Sequence, residues 1–120
     1  MNTTIEFEFC DGTKTQLTLT FYALYQLKSR NKALYDRYNL IMSKATKGNY
    51  DELDMIAIVY TAYLCANYHE NNLLTEEEFI IKCGSNRKAI SNAVRELQSP
   101  KKPKAFASHL SKEHSVENTP

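Results

Sequence analysis

Hydrophobic and polar residues alternate at the start of the chain. Ile5, Phe7 and Phe9 fall on one side and Glu6 and Glu8 on the other, which predicts a half-buried strand over residues 4–9. Asp11-Gly12 follows as a turn, because glycine takes positive φ without a steric penalty. From Thr15 to Thr20 the alternation resumes: Leu17 and Leu19 are apolar, Gln16, Thr18 and Thr20 polar. Threonine suits a strand. The chain thus opens on a β-hairpin, and a lone hairpin is marginal in water, so it needs something to pack on.

At Phe21 the period becomes helical. Phe21, Leu24, Tyr25 and Lys28, with Leu27 beside them, predict a short helix ending near residues 29–31. Leu34, Tyr38, Ile41, Met42 and Ala45 predict an amphipathic helix that stops near Lys47-Gly48, a basic last turn followed by glycine. Asn49 or Asp51 caps a third helix, and Glu52 and Asp54 favour its positive end. Leu53, Ile56, Tyr60 and Leu64 make one apolar stripe; Met55, Val59, Ala62 and Ala66 make a second. A helix apolar nearly all round belongs at the centre.

Residues 67–72 are polar and predict a loop. Thr75-Glu76-Glu77-Glu78 fits a capping box, in which the Thr hydroxyl takes a backbone N–H and Glu78 reaches back to the cap. A short helix through Phe79 and Ile80 then runs towards Cys83 and ends at Gly84. Ser85 or Asn86 caps a last helix carrying Ile90, Ala93, Val94 and Leu97, stopped by Ser99-Pro100. The expected class is α+β, mostly α: an N-terminal hairpin packed on about four to five helices. Residues 1–99 form a single globular domain and residues 100–120 a basic, flexible tail.

Composition sharpens this picture. A chain of 120 residues, 42% of them hydrophobic, suits one domain with one core. The net charge is +1, yet residues 1–98 hold 11 Lys/Arg against 12 Asp/Glu, so the excess of positive charge sits in the tail. The body lacks the basic footprint of a protein that tracks a phosphate backbone. Three cysteines without paired spacing argue against a disulfide framework and for a reducing compartment. The N-terminus has no basic start followed by an apolar run, so no signal peptide is expected. The longest apolar stretch, Met55–Ala66, is 12 residues, against the ~20 needed to cross a bilayer. Together these place the protein in a cytoplasm, away from membranes.

Catalysis needs a nucleophile beside a base, or carboxylates converging on one site. Cys65 and His69 share a helix face at i, i+4, but two ligands fall short of a zinc site, and a buried thiol with a surface imidazole is the simpler reading. Glu76, Glu77 and Glu78 occupy consecutive helix positions and cannot face one ion; capping explains them. With three glycines in the chain there is no phosphate-cradling loop. No enzyme activity, cofactor or metal is therefore expected.

Two groups of residues point to binding instead. Lys101, Lys102 and Lys104 could touch phosphates or an acidic partner, although a solvated tail is the simpler account, since a few lysines give only weak, salt-sensitive binding. They support one alternative function, a small helical nucleic-acid-binding regulator working through its basic tail. Eight tyrosines are too many for so small a core. The simpler account is boundary residues with their hydroxyls in water; if some serve a partner protein, Tyr22, Tyr25, Tyr35, Tyr38 and Tyr63 are the ones expected to meet it.

The order of segments also carries a resemblance. Thr4–Thr20, then Phe21-Tyr22-Ala23-Leu24-Tyr25-Gln26-Leu27-Lys28, then Asp51–Ala66 ending in Tyr63-Leu64-Cys65-Ala66, then Thr75-Glu76-Glu77-Glu78-Phe79 resembles the tail assembly chaperones of long-tailed phages and prophages of Gram-positive bacteria. The likeness spans roughly residues 4–104 and is one of whole segments, with no catalytic signature. It implies a non-enzymatic protein of the host cytoplasm, missing from the finished virion, that coats the helical tape measure protein and recruits tail tube subunits. Many such proteins exist also as a longer, frameshifted form of the same chain. Lys101-Lys102 permits a slip there, since lysine codons are A-rich. A homo-oligomer would let many copies line one partner.

Overall fold

A computed structural model describes residues 4–98. Strands β1 (Ile5–Glu8) and β2 (Lys14–Leu17) pair antiparallel, with Ile5 opposite Leu17 and Phe7 opposite Thr15. The Phe9 N–H donates to the Thr13 carbonyl at 2.7 Å and the Gly12 N–H to the Phe9 carbonyl at 3.0 Å. Cys10, Asp11 and Gly12 thus make a three-residue loop. Gly12 has φ 89°, the left-handed position such loops require. Asp11 Oδ1 accepts from both the N–H and the hydroxyl of Thr13, at 3.0 and 2.7 Å.

The second strand is shorter than the alternation predicts. The Thr18 backbone N–H, on the outward side of β2, donates to the Ala62 carbonyl at 3.2 Å. The Thr18 hydroxyl is buried there with no hydrogen-bond partner among the described residues.

Five helices follow among the described residues: α1 (Phe21–Arg30), α2 (Lys32–Ala45), α3 (Glu52–Asn67), α4 (Glu76–Cys83) and α5 (Arg87–Gln98). Side chains start each of them. Thr20 accepts the Ala23 N–H at the head of α1, at 3.1 Å. A single residue, Asn31, separates α1 from α2 and serves both. Its N–H donates to the Leu27 carbonyl, and its Oδ1 accepts from the Leu34 N–H at 3.1 Å. Asp51 caps α3 in a capping box with Asp54, and Thr75 caps α4 in one with Glu78. Asn86 Oδ1 accepts from Ala89 N–H at 3.1 Å, which opens α5. Each such cap is worth about 1 kcal/mol.

Helix α3 occupies the centre. Residues 57–63 and Cys65 are all buried, and α3 touches β2 and every other helix. Phe79 of α4 is fully buried among the rings of Phe7, Phe9, Tyr60 and Tyr63, with centroids 5.3–6.3 Å away. Those distances are the offset and edge contacts that aromatic rings prefer. Ion pairs tie the helices together from outside: Lys44–Asp54 (2.9 Å) joins α2 to α3, and Arg87–Glu52 (2.6 Å) joins α5 to α3.

Two apolar stripes are placed differently from the periodic reading. Phe21 is 91% exposed and Leu53 67%. On α1 the buried residues are Ala23 and Leu27, so the helix turns its small residue, rather than its aromatic ones, towards α2 and α3. Leu53 sits in the first turn of α3, at the rim of a groove it lines with Ile56, Ile80 of α4 and Ile90 of α5.

Candidate partner-binding face

Among the described residues the strongly exposed aromatic side chains all lie on α1. Thr20 fixes where the helix starts, and the burial of Ala23 and Leu27 fixes its rotation. Phe21, Tyr22 and Tyr25 must then face outward, and they are 91%, 67% and 69% exposed. The Tyr22 and Tyr25 rings lie nearly parallel, centroids 6.4 Å apart. The Gln26 side-chain amide donates to the Tyr22 hydroxyl at 3.2 Å and steadies that ring. The row presents apolar ring faces with hydroxyls at the rim, the chemistry enriched in protein interfaces.

Tyr35 and Tyr38 are half-buried on α2. The Lys28 ammonium sits 5.6 Å from the centre of the Tyr35 ring, linking that ring to the foot of α1. Burial raises the Tyr38 phenol above its ordinary pKa, helped by Cys65 and Tyr35 nearby. Tyr35 thus meets the foot of α1, and both rings pack against the core rather than extend the exposed row.

Tyr63 is elsewhere. It is 6% exposed, in the core beside Phe79, and its hydroxyl accepts the Leu74 N–H at 2.9 Å. This corrects the expectation that Tyr63 meets a partner: α3 is covered on that side by the segment leading into α4. Phe21 is the residue the sequence reading missed. Its signal was the position directly after a capping threonine, in a first turn that the neighbouring helices do not cover. Lys101, Lys102 and Lys104 lie outside the described residues.

The residues considered for chemistry do not converge. Cys65 is buried and its thiol is pushed up to about 12 by burial, whereas His69 is exposed, 3.5 Å from Glu70. A thiol so raised stays protonated and is a poor nucleophile. Glu76 turns to Arg37, whose guanidinium holds two carboxylate oxygens at 2.8 and 2.5 Å and draws the Glu76 pKa down. Glu78 is engaged in its capping box. Among the described residues no group of three or more His, Cys, Asp or Glu is placed to hold a metal ion. No helix among them is long and apolar enough to cross a membrane.

The chain matches no protein-family model, no curated protein and no solved structure.

Proposed function

We propose that this chain is a non-enzymatic tail assembly chaperone, working in the bacterial host cytoplasm on the tape measure protein of a long-tailed phage or prophage. The segment resemblance supplies the partner; one structural observation supports a binding surface for it, the exposed row Phe21, Tyr22 and Tyr25 on α1. Burial of Ala23 and Leu27 fixes the face that carries these rings, and the Tyr22 ring is also steadied by Gln26 and stacked on Tyr25. The rings can receive the apolar stripe of a helical partner, as helix-binding grooves do. In this reading tail tube subunits are recruited next, and the protein is absent from the mature virion.

The test is co-expression with the tape measure protein of the same genome. The expected result is a rise in soluble tape measure protein and its co-purification with this chain. The triple variant F21S/Y22S/Y25S should lose both while keeping its helical circular dichroism. Tape measure solubility that does not respond to the wild-type chain overturns the proposal.

A further inference from the structure

The hairpin has two edges, and α3 closes one of them. Because Phe9 pairs with Thr13, and Phe7 and Ile5 sit opposite Thr15 and Leu17, the odd residues of β1 exchange the ladder bonds. The backbone groups of the even residues therefore point away from the hairpin. On the β2 side α3 lies alongside and takes up two of these: Asn67 Nδ2 donates to the Gln16 carbonyl at 3.0 Å, and the Thr18 N–H goes to Ala62. On the β1 side Cys10 N–H donates to the Lys82 carbonyl at 3.0 Å. No described residue pairs with the backbone of Glu6 or Glu8 on that side.

This open edge borders a groove of about 560 Å³ between β1 and α5, lined by β1 and by Asn86, Ala89, Asn92, Ala93 and Glu96. A strand laid along β1 alternates its side chains in phase with those of β1. Residues level with Phe7 would face α5, where Ala89 and Ala93 leave room for them. Residues level with Glu6 and Glu8 would stand outward beside those carboxylates.

The lining decides the occupant. It contains three glutamates, Glu6, Glu8 and Glu96, and no Lys or Arg. A second copy pairing β1 against β1 would set glutamates against glutamates, which is unfavourable for directly opposed residues. A strand with Lys or Arg at alternate positions would instead gain cross-strand ion pairs. We propose that the β1–α5 groove binds an extended segment of a partner protein by strand addition, with basic residues alternating with small apolar ones. This holds independently of what docks on α1.

A capped Lys-Val-Lys-Val-Lys-Val peptide is the probe, read by amide chemical shifts of the full-length chain. The expected result is shifts at Glu6, Glu8, Ala89 and Ala93, with slowed hydrogen exchange at the Glu6 and Glu8 amides. The variant E6K/E8K changes two exposed side chains and should weaken this peptide about tenfold, while favouring its Glu-Val counterpart. E8P, which removes one outward N–H and spares the hairpin ladder, should also weaken it. Equal binding of the two peptides to the wild type, shifts confined to α1, or no binding overturns the proposal. A dimer protecting the same amides overturns it in favour of a second copy. Tighter peptide binding by K101E/K102E/K104E overturns it in favour of the chain's own segment.

Discussion

Tyr60 and Tyr63 hold the two ends of one residue: the Tyr60 hydroxyl donates to the Leu74 carbonyl and the Tyr63 hydroxyl accepts the Leu74 N–H, each at 2.9 Å. One turn of α3 thereby pins the segment that delivers α4 to the core. Tyr63→Phe leaves a part-buried N–H unpaired and should cost about 1–3 kcal/mol. Tyr60→Phe leaves a carbonyl, which has two lone pairs and finds other donors more easily, and should cost about 0.5–1.5 kcal/mol. Urea unfolding of both variants checks the order.

Thr18→Val should stabilise the fold by about 1 kcal/mol. The Thr18 hydroxyl is buried without a partner, and valine keeps nearly the same shape without the desolvation cost. The N–H that donates to Ala62 is retained. An unfolding midpoint that falls would show the hydroxyl to be satisfied in solution.

Gly84→Ala should destabilise for two separable reasons. Gly84 has φ 61° and ψ −130°, and an added Cβ would lie 2.9 Å from Cys10 Sγ. The backbone term is of order 1–3 kcal/mol. Adding Cys10→Ala to Gly84→Ala removes the sulfur clash but leaves the backbone strain and a tight 3.2 Å contact to the Cβ of residue 10, so melting temperature should recover only in part.

Phe79→Ala should be the most damaging single change, about 3–5 kcal/mol, because it empties the space between four other rings. Phe21→Ser, Tyr22→Ser and Tyr25→Ser should each fall within about 0.5 kcal/mol of the wild type. Thermal melts of the four variants test this contrast between a ring that holds the fold and rings that are free for a partner.

Stability should fall in alkali. Burial raises Cys65 to about 12 and Cys83 to about 11, and it also raises Tyr38 and Tyr60. The folded state thus holds protons that the unfolded state releases, thiols first. Stability is full below the unfolded thiol pKa, near 8.5, and is lost as pH rises through the folded values. Cys65→Ala should flatten that decline between pH 9 and about 12, measured by urea unfolding at each pH.

The hairpin, the five helices and the caps of the last three were legible because each signal is local: an alternation, a period, or a capping side chain three residues before its partner. Thr20 and Asn31 were not read as caps, because Thr20 continues the strand's alternation and Asn31 ends α1 as well as starting α2. Asp51 and Asn86 were chosen over Asn49 and Ser85 by the backbone that presents their oxygens. The rotation of α1 was not legible. Phe21, Leu24 and Tyr25 form as good a stripe as Ala23, Leu24 and Leu27. Only packing against α2 and α3 selects the side with the small residue. Tyr63 was misplaced for the converse reason. Nothing within α3 announces that Leu74, eleven positions on, returns to cover it.

The packing of α3 along β2 has a consequence for how copies of this chain can add up. Endless growth of a sheet requires two complementary edges on every subunit, so that each copy receives one neighbour and offers itself to the next. Here α3 lies against β2, and Asn67 and Ala62 take two of its outward groups. Among the described residues β1 is therefore the freer edge, and pairing of β1 with β1 between identical copies closes at two rather than feeding a fibre.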